Sequence, residues 1–225
     1  MLSPHEPVTP EDAFRRARVI PVAVLDDAAA AVDLAALLVR HSLPLIEVTL
    51  RTSASRDCIE AIAARVPEIC VGCGSVLSPD DLDAAMDAGA RFAFAPCLDE
   101  AVLAHAARRG LPFAPGVATP TELGRALALG CALVKVFPAA PLGGPGFVRA
   151  LCAPFATRTP RVVPTGGVSE EAIADYLAIP EVVAVGATFC ADPALVARRD
   201  FDELERRIMR VRRAIDGDRD RRIHA

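Results

Sequence analysis

Lysine is nearly absent from this chain: among 225 residues there is one, Lys135, against 24 arginines. Long apolar runs are missing too. No stretch approaches the ~20 uninterrupted apolar residues that cross a bilayer, and Met1 to Asp12 has no basic region followed by an apolar one. Neither a membrane span nor a secretory leader is expected. No single charge sign dominates. The net charge is −4, with 24% charged residues, which argues against a nucleic-acid or anionic-membrane partner. Metal-ligand spacing is lacking as well. His5, His41, His105 and His224 are scattered, and the one C-x-x-C, Cys70 and Cys73, has no second pair. No metal and no cofactor is expected. The seven cysteines are odd in number and mostly in apolar surroundings, which reads as free thiols of a reducing cytoplasm.

What is present is a strict alternation. Runs rich in apolar residues read as strands at Val19 to Leu25, Leu45 to Thr49, Ile69 to Gly72, Phe92 to Ala95, Pro112 to Ala114, Leu133 to Phe137, Arg161 to Pro164 and Val182 to Val185. Alanine-rich amphipathic stretches between them read as helices at Ala28 to His41, Ser55 to Arg65, Pro79 to Ala88, Glu100 to Arg109, Pro120 to Leu129, Gly146 to Cys152, Glu170 to Leu177 and Phe201 to Ile215. Ser78-Pro79 and Thr119-Pro120 are cap-and-start signals, Ser169 precedes Glu170, and Gly89, Gly110 and Gly130 are stops. Eight β/α units in a chain this short predict an α/β fold, a (β/α)8 TIM barrel, with Pro10 to Ala17 as an extra N-terminal helix. An open doubly wound sheet is the alternative, but the first strand leads into Asp26-Asp27-Ala28 with no glycine. No linker or composition break divides the chain. Residues 1–225 are expected to form a single domain, with 216–225 a flexible tail where Arg219 to Arg222 interleave with acids.

Barrel chemistry sits at the C-terminal strand ends. By strand parity Lys135 shares the lumen face with Leu133 and Phe137, Glu47 with Leu45 and Thr49, and Arg51 continues the parity of Glu47. Cys73 and Ser75 follow Val71, and Thr165 follows Val163. A lone lysine among arginines in an apolar strand points to use of its amine, since arginine is no amine nucleophile at neutral pH. A strand-end lysine reaching to water is the structural alternative, as is a mutual salt bridge for Glu47 and Arg51. The combination suits a class I aldolase: lysine attacks a ketone, a buried carboxylate moves protons, and arginine grips a substrate carboxylate. Thr165-Gly166-Gly167 after strand seven and Gly186-Ala187-Thr188 after strand eight lie where barrels bind phosphate.

Five segments, in order, resemble the 2-keto-3-deoxy-6-phosphogluconate (KDPG) and 4-hydroxy-2-oxoglutarate (KHG) aldolases. They are Ile46-Glu47-Val48-Thr49-Leu50-Arg51-Thr52, Gly72-Cys73-Gly74-Ser75-Val76-Leu77, Pro115-Gly116-Val117-Ala118-Thr119, Val134-Lys135-Val136-Phe137-Pro138-Ala139 and Pro164-Thr165-Gly166-Gly167-Val168. The resemblance implies a metal-free, homotrimeric (β/α)8 enzyme that cleaves a small-molecule keto-acid to pyruvate and an aldehyde. It implies Lys135 as the Schiff-base residue and Glu47 as the general acid/base. Arg51, with Ser75 and Thr165, would hold the carboxylate, and Gly166, Gly167, Gly186, Ala187 and Thr188 the phosphate. The chain departs from the family pattern at Ser75 for threonine, Cys97 for glycine, Gly186-Ala187-Thr188 for Gly-Gly-Ser, and Asp26 for a basic residue. The last makes KHG, which carries no phosphate, a second expected substrate. A phosphate-binding barrel without covalent lysine chemistry and a non-catalytic sugar-acid-binding relative are the rival readings.

Overall fold

Strands buried on both faces should read as continuous apolar runs and the helices over them as one-faced. A computed structural model, which describes residues 13–14 and 17–223, has this pattern. In chain order its elements are β1 (Val19–Ala23), α1 (Ala28–Arg40), β2 (Leu45–Thr49), α2 (Ser55–Arg65), β3 (Cys70–Gly74), α3 (Pro79–Asp87), β4 (Ala93–Phe94), α4 (Glu100–Arg109), β5 (Phe113–Ala114), β6 (Gly116–Val117), α5 (Pro120–Ala128), β7 (Val134–Val136), α6 (Gly144–Cys152), β8 (Val162–Pro164), α7 (Ile173–Leu177), β9 (Val185–Ala187), α8 (Pro193–Ala197) and α9 (Phe201–Ile223). All pairings are parallel.

The strands occupy eight positions around a (β/α)8 barrel. One sheet runs β5-β4-β3-β2-β1-β9 and the other β6-β7-β8. They meet twice. Between β8 and β9 the bridges Val162↔Val182 and Thr165↔Gly186 close the seam. On the far side the fifth position is split by Pro115. Ala114 accepts from Ala95 N–H on the β4 side (3.1 Å), whereas Pro115 accepts from Lys135 N–H on the β7 side (2.8 Å). A proline has no N–H to give a ladder, so the strand changes partner there. The expected strand Pro112 to Ala114 is β5, and β6, beyond Pro115, is a second short strand that was not expected.

The caps behave as read. Ser78 accepts from the Asp81 N–H, and Thr119 forms a full capping box with Glu122. Gly89, Gly110 and Gly130 take positive φ at helix ends. Ser169 does not open a helix at Glu170. Turns intervene and α7 starts at Ile173. The last strand lies three residues later than expected because Val182 N–H is held in a turn by Ile179 O, and an unbroken apolar run cannot mark its own register. Helix α8 was not anticipated; it opens on Asp192-Pro193, a cap and start signal. Helix α9 passes the expected end at Ile215 and runs to Ile223. Of the expected N-terminal helix, Ala13, Phe14 and Ala17 are helical and buried, and the rest lies outside the described residues. Phe14 packs edge-on against Phe92, ring centroids 5.1 Å apart. No described helix is long and apolar enough to cross a membrane.

Candidate active site

Parity in β2 and β7 turns Glu47 and Lys135 inward, and their side chains meet. Lys135 Nζ donates to Glu47 Oε1 at 2.8 Å. Glu47 is fully buried and Lys135 is 5% exposed, so the lysine does not reach out to water, and the carboxylate pairs with it and not with Arg51. Removing one partner of such a buried pair strands the other's charge, at a cost of about 3–5 kcal/mol. Lys135 Nζ also lies 5.4 Å from the Phe94 ring centroid and 5.7 Å from that of Phe137, within cation–π range. The second carboxylate oxygen, Glu47 Oε2, is buried and has no hydrogen-bond partner. An unpaired buried acceptor costs about 1–3 kcal/mol. It is an acceptor free to take a proton from a reacting group beside the amine.

The other candidates divide. Thr49 is buried and donates its hydroxyl to Ala23 O (3.2 Å), a structural use. Arg51 lies past the end of β2, exposed, and its guanidinium has no partner among the described residues. Ser75 is half-buried at φ 62°, a left-handed conformation uncommon outside glycine. Thr165 is buried at the end of β8, its N–H donating to Val136 O and its carbonyl accepting from Ala139 N–H.

Strand β3 corrects one reading. Parity from Val71 put Cys73 on the lumen face, but that face carries Gly72 and Gly74. A Cβ on Gly72 would fall 2.4 Å from the Phe92 ring, and one on Gly74 1.9 Å from Glu47 Oε1. Cys73 points the other way, its thiol toward Phe92 O. Burial pushes that thiol up to about 12, and the charge of Glu47 adds to the effect. The available signal was the period-two glycine pair itself, since glycine in a buried strand marks close approach of another group. Phe94 beside the amine was also not singled out from sequence.

The phosphate-loop candidates divide as well. Gly166 (φ 95°) and Gly167 (φ 72°) both need glycine's freedom, and a Cβ on Gly166 would meet the Phe137 ring at 2.9 Å. The N–H of Gly167 has no hydrogen-bond partner among the described residues, whereas the Thr165↔Gly186 bridge turns that of Gly166 toward Gly186 O. Gly186 and Ala187, expected in a loop, are instead inside β9, and only Thr188 lies beyond it. Gly186 is small because a Cβ would fall 2.3 Å from Thr165 Oγ1, and Ala187 sits in extended backbone that needs no glycine.

A family model described as "Aldolase: KDPG and KHG aldolase" matches residues 11–207. A 2-dehydro-3-deoxy-phosphogluconate aldolase of Treponema pallidum is 37% identical over 197 residues, covering 88% of this chain and 93% of its own. The KHG/KDPG aldolase of Escherichia coli K12 is 37% identical over 199 residues, 88% of this chain and 91% of its own. Among solved structures, a KDPG aldolase from Legionella pneumophila, with pyruvate captured as a covalent carbinolamine intermediate, superposes with TM-score 0.84. Its identity is 30%, covering 90% of this chain and 98% of its own.

Proposed function

The chain belongs to the KDPG and KHG aldolase family, and from that premise we propose that it is a class I pyruvate aldolase in which Lys135 is the Schiff-base residue. Its substrate is KDPG, cleaved to pyruvate and glyceraldehyde 3-phosphate. The observation that carries this reading is the buried 2.8 Å contact between Lys135 Nζ and Glu47 Oε1.

A protonated lysine is no nucleophile, and Glu47 lies where it can take the proton. The freed amine attacks the C2 ketone, and the alkoxide is protonated to a carbinolamine. Loss of its hydroxyl as water, with a proton from Glu47, leaves the iminium. Glu47 then accepts the C4 hydroxyl proton as the C3–C4 bond breaks; the bonding pair moves into the iminium to give the enamine, and the aldehyde departs. Protonation at C3 and hydrolysis by water release pyruvate and restore the amine. Arg51, unpaired at the mouth, grips the carboxylate with Ser75 or Thr165. The glycine loop of Gly166 and Gly167, whose Gly167 N–H has no partner among the described residues, receives the phosphate with Gly186, Ala187 and the exposed Thr188. KHG, cleaved to pyruvate and glyoxylate, is a second substrate, and Asp26, exposed beyond β1, favours it by placing no cation at the mouth there.

A homotrimer belongs to the same proposal and is checked by sedimentation. So does a reducing, cytoplasmic setting, supported by seven free cysteines, five of them buried. Pyruvate release from KDPG, coupled to lactate dehydrogenase, tests the activity. The wild-type chain turns over, and Lys135→Arg, which keeps charge without a nucleophile, does not. Substantial turnover by Lys135→Arg would shift the reading to a barrel enzyme using lysine as a point charge. Substrate binding without turnover by the wild type would shift it to a sugar-acid-binding protein.

A further inference from the structure

Glycine inside a buried strand needs a reason, because it adds backbone entropy to the unfolded chain and packs nothing. At Gly74 the reason is not conformation. Its φ is outside the left-handed region that Gly166 and Gly167 occupy, so its backbone suits any residue. The reason is space. A Cβ at Gly74 would fall 1.9 Å from Oε1, 2.7 Å from Cδ and 2.9 Å from Cγ of Glu47.

The register explains why this side chain arrives there. Glu47 lies opposite Gly72, and Thr49 opposite Gly74. The space over Gly72 is filled by the Phe92 ring. Glu47 therefore leans one pleat toward the C-terminal end, over Gly74, and in that pose its Oε1 reaches Lys135 Nζ. We propose that Gly74 is a positioning residue for Glu47, leaving the space in which the carboxylate lies against the lysine amine. The inference rests on Glu47 as the proton carrier and deepens that reading.

An added methyl forces Oε1 about 1.5 Å away to regain ordinary contact. Misplacement on the order of 1 Å can cost about 10²-fold in rate. Gly74→Ala is therefore expected to lower kcat for KDPG cleavage about 10²-fold while KM stays within about threefold, because Arg51 and the glycine loop are untouched. The diagnostic variant is Gly74→Ala with Glu47→Asp, whose side chain, one methylene shorter, removes the 1.9 Å approach of Oε1, the closest of the three contacts. The pair should turn over faster than Gly74→Ala alone, although Glu47→Asp slows the wild-type background. Should Gly74→Ala fail to fold, recovery of soluble, active protein on adding Glu47→Asp gives the same support. A Gly74→Ala enzyme with wild-type kcat, losses that simply multiply in the double variant, or misfolding that Glu47→Asp does not relieve would each overturn the inference. Glu47→Gln separates the two levels. If it is inactive while Gly74→Ala is fully active, the positioning role alone falls; if it turns over normally, the proton-carrier reading falls and takes the positioning role with it.

Discussion

Lys135 and Glu47 are 88 residues apart in sequence, and the Nζ of one lies 2.8 Å from Oε1 of the other inside the barrel. Both are buried, so a change at either is felt in the chemistry and in the fold.

Glu47→Gln keeps the shape of the side chain and removes its charge. It should lower kcat roughly 10²- to 10⁴-fold, the usual range for losing a general acid/base, in the lactate-dehydrogenase-coupled assay. A near-normal rate would mean that Glu47 is only a structural partner of the lysine.

Gly186→Ala places a methyl 2.3 Å from Thr165 Oγ1 and displaces a hydroxyl proposed to bind the substrate carboxylate. Loss of one hydrogen bond to a charged group, about 1.5–3 kcal/mol, corresponds to a rise in KM of at least about tenfold. Unchanged KM in a folded variant would remove Thr165 from substrate binding.

Gly167→Ala forces a side chain into a backbone at φ 72°, for about 1–2 kcal/mol of strain. Its melting temperature should fall, and KM for KDPG should rise more than KM for KHG, which has no phosphate. Equal rises would separate this loop from phosphate recognition.

Thiol reactivity should follow burial. Burial pushes the Cys58, Cys70 and Cys152 thiols up to about 11, and those of Cys73 and Cys190 to about 12, whereas Cys97 is exposed. Titration with a chromogenic disulfide at pH 8 should label Cys97 rapidly, Cys131 more slowly, and all seven only in denaturant. Fast labelling of several thiols in the native protein would contradict the buried core.

Acid should loosen the C-terminal helix. Burial raises the Asp192 carboxyl, but N–H donors from Leu195 and Ala194 and the Arg207 guanidinium outweigh it and hold the group below its ordinary value. Arg206 and Arg207 do the same for Glu203. Folded values below the unfolded ones mean stability that is complete above the unfolded carboxyl range, about 4, and is lost as pH falls through the folded values. The urea midpoint should be flat from pH 8 to 5 and fall below about pH 4. Asp192→Asn should be less stable at pH 7, with the gap closing near pH 3.

The barrel could be read from the chain because apolar runs alternate with capped amphipathic stretches, and Glu47 and Lys135 could be turned inward because parity is reliable where large side chains mark a face. Parity failed in β3, where the lumen face is Gly72 and Gly74 and the visible residue, Cys73, is on the other side. The strand split at Pro115 was hidden because it is a change of partner, which depends on β4 and β7 together. Gly186 was read by analogy as a loop glycine, but its reason is Thr165 from the neighbouring strand. Side-chain volume across a ladder has no local signature.

Borohydride reduction in the presence of pyruvate, followed by intact and peptide mass, tests covalent lysine chemistry most directly. With one lysine in the chain, the N-terminal amine is the one competing site. A reduced pyruvyl adduct on the peptide containing Lys135, absent without pyruvate, is the predicted result. Folded protein that turns over KDPG yet gives no adduct would contradict the Schiff-base account.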